Sequence, residues 1–390
     1  MDIDHLSGSS ATDPGLPPAS WEEGASLPAG IGDRPLTEIR ALAAVACPDS
    51  TAIVEHGGRG GNAPHLTHRS LGLLVARWAA RLASEGVTPG SLIGLCAGAE
   101  IAAPVGFLSI LEAGGAVVPL DPSLPAGRLG ALAAGVGCRM ILVSDATGQA
   151  LDGGRLLNLS GDPADHPRVA VPSDPERAAV VYHTSGSTGR PKPVVLSHRA
   201  LSSRIRSMID WFGIAPGEVV CAGSTLAFDP FLQQLFFPLC VGGTLWLPER
   251  TALLDPPRFW DEAAERGLTH LNLVPSQIEP LLRRPPARGL PSLRRVVIGG
   301  ERMPPDMPAR IAAAVGPVAI YNMYGPTEAT VDATGHRADP TVTGRDIPIG
   351  APLPGCRVRI LHASRPQSQR FLCVAGVRLG ESRQRERGLR

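Results

Sequence analysis

The sequence predicts an α/β protein with mainly parallel sheets, and three observations support this fold class. Short segments that are almost continuously apolar alternate with stretches whose apolar residues recur at helical spacing. Strands that are apolar on both faces are typical of parallel sheets covered by helices on each side. A chain of 390 residues with a hydrophobic content of 43% exceeds one compact unit, so two α/β subdomains are expected.

Regular structure is expected to begin near residue 36. Residues 1–35 are rich in Ser, Gly, Pro and Asp and show no periodicity, which predicts a disordered leader. A helix is predicted from residue 70, because apolar side chains recur there every three or four positions. Gly86 is the expected stop of that helix.

The apolar segments that follow predict strands joined by helices. Helices are predicted at residues 257–266 and 304–315, among other places. After Thr330 the segments become shorter and richer in turn residues, which predicts a partial β-rich subdomain. The predicted strands are residues 92–96, 116–120, 140–143, 179–183, 219–222, 244–247, 270–274, 295–298 and 318–322.

Charge and cysteine content narrow the class of protein. A net charge of +1 gives no general attraction to nucleic acid or to acidic membranes. The seven cysteines show no paired or metal-binding spacing, as is typical of a reduced compartment. The N-terminus is acidic and polar, and no apolar run is long enough to cross a bilayer. We therefore expect a cytoplasmic protein that binds neither nucleic acid nor membranes.

A loop rich in small polar residues follows the predicted strand at 179–183. Its glycines allow a ligand to approach the backbone, and its free N–H groups, hydroxyls and single ammonium suit phosphate oxygens. It is not a Walker A loop, because Pro191 and Pro193 occupy required positions. A plain surface turn remains the alternative. The candidate phosphate-binding residues are Thr184, Ser185, Gly186, Ser187, Thr188, Gly189 and Lys192, the only lysine in the chain.

This loop and several other segments resemble one known family. The sequence YHTSGSTGRPKPVVLSHRAL resembles the signature loop of the adenylate-forming superfamily, which includes acyl-CoA synthetases, luciferases and the adenylation domains of nonribosomal peptide synthetases. The peptide-synthetase branch fits best, because further core motifs occur in order. Residues 65–71 (HLTHRSL) resemble the first motif weakly, 111–129 the second, 228–247 (FDPFLQQLFFPLCVGGTLWL) the fourth, 322–330 (NMYGPTEAT) the fifth and 371–381 the sixth poorly.

The resemblance implies a reaction and a set of roles. Such domains use ATP and Mg²⁺ to convert an amino acid to an aminoacyl-adenylate, releasing pyrophosphate, and then load a carrier protein. Residues 184–189 with Lys192 would hold the β- and γ-phosphates. Tyr324 would stack on adenine beside Gly300, Thr327 would bond the α-phosphate or the substrate carboxylate, and Glu328 would bind Mg²⁺. The alternative for residues 324–328 is a turn after a buried strand.

Asp229 distinguishes the amino-acid-activating branch. By resemblance, an Asp directly after Phe228 pairs with the α-ammonium of the substrate, which argues against fatty-acid or aryl-acid substrates. The alternative is a helix cap, since Asp followed by Pro230 is a common helix start. Both interpretations stay open at the level of sequence.

The same resemblance implies a side-chain pocket. Three of its residues are polar, and one of these three, Asp332, is anionic. A hydrocarbon side chain on the substrate would therefore leave polar groups unpaired. We expect an amino acid with a polar or basic side chain, such as an arginine- or ornithine-like one. The implied pocket residues are Pro230, Gln233, Asn272, Val297, Gly299, Met323, Val331 and Asp332.

The chain departs from the family in two places. Pro193 replaces the usual glycine after the lysine, so the loop is expected to be stiffer and to lack one donor. The ribose-binding aspartate, the hinge and the lid with its second lysine are not found after residue 360. We expect an adenylation core at residues 36–360 and a degenerate, truncated tail at 361–390.

Loss of the lid is expected to lower turnover more than ATP affinity, because its lysine acts in the transition state. The chain would then be a weak or inactive adenylating enzyme that depends on carrier proteins and other synthetase modules. The alternatives are a catalytically silent fragment that binds nucleotide or a partner, and a ligase similar to acyl-CoA synthetases.

Overall fold

The computed structural model of the chain describes residues 21–57, 63–144, 154–161, 163, 166–167, 170–184, 191–249, 251–342 and 344–359. These residues form mixed sheets with helices on both faces. The helices are α1 (Leu36–Ala46), α2 (His68–Ser84), α3 (Ala102–Glu112), α4 (Ala126–Gly135), α5 (His198–Phe212), α6 (Pro230–Val241), α7 (Pro256–Glu265), α8 (Pro275–Arg283) and α9 (Met307–Val315).

The strands alternate with these helices along the chain. They are β1 (Trp21–Glu23), β2 (Thr51–Glu55), β3 (His65–Thr67), β4 (Leu92–Cys96), β5 (Ala116–Leu120), β6 (Met140–Val143), β7 (Arg155–Asn158), β8 (Ala178–Thr184), β9 (Lys192–Ser197), β10 (Val219–Cys221), β11 (Thr244–Leu247), β12 (His270–Leu273), β13 (Arg295–Ile298), β14 (Ala319–Tyr324), β15 (Thr334–Ala338), β16 (Ala351–Pro352) and β17 (Arg357–Arg359).

Parallel pairing dominates both large sheets of the described chain. The larger sheet has nine strands in the order β16-β15-β14-β13-β12-β10-β11-β2-β3, with antiparallel pairs only toward its two ends. The smaller has six, in the order β7-β6-β4-β5-β8-β9, with β8 and β9 antiparallel at one edge. This arrangement confirms the predicted α/β class.

The two large sheets share one apolar core. It includes Leu95 and Val180 of the smaller sheet, Ile53 and Leu245 of the larger, and residues of α2, α3, α5 and α6. Helices α7, α8 and α9 cover the opposite face of the larger sheet, and α4 covers that of the smaller. Helices on both faces explain why the central strands are largely apolar.

Local signals fix where α2 and α5 begin. The Thr67 side chain accepts from the Ser70 N–H at 3.1 Å, and Ser70 Oγ accepts from the Thr67 N–H at 2.8 Å, which forms a capping box. Ser197 caps α5 by accepting from the Ala200 N–H. The α5 helix ends at Gly213, whose φ of 62° is easily adopted only by glycine.

Residues 21–35 are structured, so the expectation of a disordered leader is wrong for this part of the chain. β1 pairs antiparallel with β17, and the Ile31 side chain is buried. Gly32 lies so close to α5 that a Cβ would be 2.3 Å from Ser203 Oγ. The segment is held by contacts with residues far along the chain, and such contacts leave no local periodicity.

The region after Thr330 divides between two sheets. β15 and β16 extend the larger sheet as antiparallel strands, whereas β17 joins β1 in a separate two-stranded sheet. Residues 360–390, which include the weak sixth motif, lie outside the described residues. Within the described part of the chain, no helix is long and apolar enough to cross a membrane.

A buried ion pair ties the amino ends of the central strands together. Glu218 is fully buried before β10 and accepts from Arg295 Nη1 at 2.7 Å and from Thr269 Oγ1 at 2.9 Å. Arg295 also donates to the carbonyls of Phe212 and Gly213. Burial works to raise the pKa of Glu218, but the hydrogen bonds from Arg295 and Thr269 outweigh it and lower that pKa.

Removing the Glu218 charge should strongly destabilise the fold. Glu218→Gln leaves the buried Arg295 uncompensated, so we expect the free energy of unfolding to fall by about 3 kcal/mol. Urea denaturation at neutral pH measures this. Glu265→Gln, at an exposed position on α7, is the control and should change stability by less than about 0.5 kcal/mol. Equal stability of the two variants would contradict the assignment.

Candidate functional site

The ends of the polar loop lie at the edge of the smaller sheet. Thr184 ends β8 and pairs with Lys192, which begins β9. The Thr184 hydroxyl donates to the Lys192 carbonyl at 3.4 Å. The loop residues Ser185, Gly186, Ser187, Thr188 and Gly189 lie outside the described residues.

Pro193 lies in β9 rather than in the loop itself. β9 is an edge strand, and Pro193 pairs there with His183 of β8. A proline is tolerated at an edge because its missing N–H removes no bond from the middle of a sheet. The described structure therefore accounts for this departure from the family motif by strand position.

Lys192, in the smaller sheet, contacts the fifth motif, which follows β14 of the larger sheet. Its Nζ lies 3.7 Å from Glu328 Oε1, and the two side chains are 66% and 49% exposed. Glu328 belongs to a single 3-10 turn, Thr327–Ala329, that follows β14. An exposed pair of this kind contributes at most about 1 kcal/mol. Both groups are therefore free to bind ligands of opposite charge.

The turn after β14 depends on a close backbone approach. A Cβ at Gly325 would lie 2.5 Å from the Val331 carbonyl oxygen and 2.6 Å from Asp332 Cα, so only glycine fits. The Ala333 N–H donates to the Tyr324 carbonyl at 2.8 Å. The Tyr324 side chain remains 42% exposed.

Asp229 lies at the start of α6 but does not cap it. Pro230 occupies the first turn, yet the Asp229 side chain makes no capping hydrogen bond. Its carboxylate instead accepts from the Thr327 hydroxyl, and its Oδ2 atom is buried without a partner among the described residues. Burial, together with the nearby carboxylates of Asp332 and Glu328, raises the pKa of Asp229 to about 6.

A chain of polar side chains forms one wall beside Asp229. Gln233 Nε2 donates to Asp332 Oδ2 at 2.6 Å, and Asn272 Nδ2 donates to Gln233 Oε1 at 3.1 Å. All three side chains are buried. Burial raises the pKa of Asp332 to about 6, against the lowering effects of the Gln233 hydrogen bond and of the Arg204 charge. This wall joins α6, β12 and the segment after the 3-10 turn.

The remaining predicted pocket residues supply the apolar part of the site. Val297 of β13, Met323 of β14 and Val331 are buried in the shared core. Gly299 follows β13, and a Cβ there would lie 3.2 Å from the Met323 carbonyl oxygen. Gly300 has a φ of 76°, which explains the glycine at this position.

Asp332 is presented by a strained turn. Thr330 and Val331 have φ values of 62° and 73°, which are rare for residues other than glycine and costly for a β-branched one. The Asp332 N–H donates to the Thr330 carbonyl at 3.1 Å, closing a γ-turn around Val331. Strain of this kind persists only where the surroundings enforce it.

Sequence reasoning missed Arg204 and Met208 on α5. Gln233 Nε2 also donates to Met208 Sδ at 3.3 Å, and Arg204 is buried one turn earlier. The available signal was an arginine among the apolar residues Leu201, Ile205 and Met208, which recur at helical spacing.

Comparisons with known proteins agree with the motifs. The model of the AMP-binding enzyme family matches residues 41–376. Phosphinothricin tripeptide synthetase PhsB of Streptomyces viridochromogenes is 32% identical over 88% of this chain, and isonitrile lipopeptide synthase of Streptomyces coeruleorubidus is 35% identical over 79%. The chain spans 29% and 21% of the lengths of these relatives.

Solved structures agree as well. The nonribosomal peptide synthetase FmoA3, in its α-methyl-L-serine-AMP-bound form, superimposes with a TM-score of 0.81 at 26% identity, over 91% of this chain and 40% of that one. The chain belongs to the AMP-binding enzyme family, and the resemblance to adenylation domains of peptide synthetases is confirmed.

Neutralising Asp332 should stabilise the protein at neutral pH. Because the pKa of Asp332 is raised to about 6, the folded state binds its proton more tightly than the unfolded state does. Stability is therefore lost as pH rises from about 4 to 6. Asp332→Asn should be more stable than the unsubstituted chain by about 3 kcal/mol at pH 7.5 and equal to it below pH 4.

Urea denaturation at several pH values measures this difference. Asp339→Asn is the control, because Asp339 is exposed and its pKa is lowered by hydrogen bonds from Thr341. It should give no gain at pH 7.5. A gain for Asp332→Asn that does not vary with pH would contradict the ionisation argument.

Proposed function

We propose that the chain binds ATP and Mg²⁺ and activates the carboxylate of an amino acid as an aminoacyl-adenylate, for transfer to a carrier protein. The observation that carries this proposal is that residues of three sequence motifs contact one another. Lys192 lies 3.7 Å from Glu328, and the neighbouring Thr327 hydrogen-bonds Asp229. A cation suited to phosphates, a carboxylate suited to a metal and an anchor for an amine are therefore linked by successive contacts.

The nucleotide would bind at the exposed end of this series of contacts, where Lys192 and Glu328 lie. Residues 184–189 and the Lys192 ammonium would hold the β- and γ-phosphates, and Tyr324 would stack on adenine next to Gly300. Mg²⁺ is usually bound by one or two carboxylates together with phosphate oxygens, and the exposed Glu328 carboxylate fits that mode. The ion would neutralise the phosphate charge that opposes attack by a second anion.

The amino acid would bind at the other end of this series of contacts, next to Asp229. The Asp229 Oδ2 atom, which is buried without a partner among the described residues, is suited to the α-ammonium, whose charge would offset the cost of burying the carboxylate. Thr327 would bond the substrate carboxylate or the α-phosphate and so align the two reacting groups. Gln233, Asn272 and Asp332 favour a polar or basic side chain, because a hydrocarbon would leave them unpaired.

The binding of an amine distinguishes this function from that of an acyl-CoA synthetase. A fatty acid brings no positive charge, so in such a complex the substrate would offer the Asp229 carboxylate no opposite charge. A carrier protein and further synthetase modules are the partners that this reaction requires.

Substitution of Lys192 should abolish the activity. Amino-acid-dependent ATP–pyrophosphate exchange by the purified chain, across a panel of amino acids, measures the reaction. Lys192→Ala should lower exchange by about 10²- to 10³-fold, because a charge aimed at the phosphates is lost. Arg283→Ala is the matched control, since Arg283 is also exposed and paired with a glutamate.

Calorimetric binding of a non-hydrolysable ATP analogue separates the remaining outcomes. Nucleotide binding without exchange would support a catalytically silent module instead. Exchange with leucine or phenylalanine as the preferred substrate would contradict the polar pocket.

Substitution of Asp229 should affect the amino acid and spare the nucleotide. Asp229→Asn removes the anion that pairs with the α-ammonium, so we expect the KM for the amino acid to rise by about 10²-fold. Calorimetry should give unchanged affinity for the ATP analogue. Asp255→Asn, at an exposed position before α7, is the control. Equal loss of nucleotide affinity would argue against the ammonium role.

A further inference from the structure

A positive charge is buried behind the polar wall of the proposed amino-acid pocket. Arg204 is 2% exposed on α5. Its Nη2 donates to Cys356 Sγ at 2.6 Å and its Nη1 to the Pro354 carbonyl at 3.3 Å. Its Nε is buried with no partner, and no carboxylate of the described residues forms a salt bridge with it. The guanidinium charge is therefore not neutralised by direct contact.

The elements that hold Arg204 lead directly to Asp332. Arg204 lies one helical turn before Met208, which accepts from the same Gln233 nitrogen that donates to Asp332. The Leu353 N–H next to Pro354 donates to the Ala333 carbonyl at 2.9 Å. The Arg204 charge favours the ionised form of Asp332. The charges of Asp332 and Arg204 also act in opposite directions on the pKa of the Cys356 thiol, the first raising it and the second lowering it.

We propose that Arg204 is a positioning residue that offsets the charge of Asp332, so that the pocket selects an uncharged side chain bearing a hydroxyl or carboxamide over a cationic one. This inference rests on the amino-acid activation proposed above. It narrows the polar or basic side chain of that proposal to the uncharged polar class.

Charge balance carries the argument. Two carboxylates, the buried Asp332 and the half-buried Asp229, stand against the one buried guanidinium of Arg204. This leaves a single negative charge for the α-ammonium at Asp229. A second cation on the substrate would lose its hydration in the pocket. Because the Arg204 charge weakens the attraction of Asp332 for a cation, that attraction would not offset the desolvation cost. An uncharged donor loses less hydration and can bond the Asp332 carboxylate.

The amide chain adds a second reason. Gln233 turns its nitrogen to Asp332 and its oxygen to the Asn272 nitrogen. The Asn272 Oδ1 atom takes no part in this chain of bonds and can serve as an acceptor. A hydroxyl or carboxamide can donate to Asn272 or to Asp332 without bringing a charge. The polar wall therefore offers two acceptors, Asn272 and Asp332, to an uncharged donor.

Replacement of Arg204 tests the inference through substrate preference. Calorimetric binding of glutamine, threonine, ornithine and lysine is measured in the presence of a non-hydrolysable ATP analogue. The unsubstituted chain should bind the better uncharged amino acid at least tenfold more tightly than ornithine. Arg204→Met should shift this ratio at least tenfold toward ornithine, whereas the charge-retaining Arg204→Lys should preserve it.

Arg206→Met is the matched control on the same helix, since Arg206 donates instead to the Ile31 carbonyl. It should leave the ratio unchanged. An unaltered ratio in Arg204→Met would overturn the inference, and so would an equal shift in Arg204→Lys, because packing rather than charge would then be responsible.

A double-mutant cycle separates this inference from the proposed function. Arg204→Met should raise the unfolding constant at pH 8 at least tenfold more in the unsubstituted chain than in Asp332→Asn, and the difference should vanish at pH 4. Additive effects at pH 8 would overturn the inference even if no amino acid bound. Failure of every amino acid to bind, with coupling retained, would refute the proposed function alone.

Discussion

The placement of two carboxylates, the buried Asp332 and the half-buried Asp229, at the carboxyl ends of the central strands is the constraint on which the site depends. Asp229 and Asp332 are both held in surroundings that raise their pKa to about 6. Neither has an arginine in direct contact within the described residues. Ionised groups in this position reduce the free energy of unfolding unless a ligand of opposite charge binds. Much of the local structure serves to keep them there.

The opposite ends of the same strands show how the fold treats a charge that has only a structural task. Glu218 is also buried, but Arg295 and Thr269 satisfy it, and its pKa is lowered instead of raised. The strands are therefore anchored by an ion pair at their amino ends, whereas the two carboxylates at their carboxyl ends have no direct ion-pair partner among the described residues. Stability from the first is what allows the second.

Backbone strain is concentrated in the same place. The γ-turn at Val331 presents Asp332, and the close approach at Gly325 locks that turn against β14. The 3-10 turn between them carries Thr327 and Glu328. In the proposed function, this short segment would therefore position groups for both the nucleotide and the amino acid.

The sequence by itself determined the α/β class, most central strands and the motif residues. Segments such as 116–120 and 295–298 match the structure residue for residue, since a strand buried on both faces is largely apolar. Only the tertiary structure decided that Asp229 does not cap α6, that Lys192 contacts Glu328, and that the buried Arg204 charge acts on Asp332. These facts depend on contacts between residues distant in sequence, and local composition carries no record of such contacts.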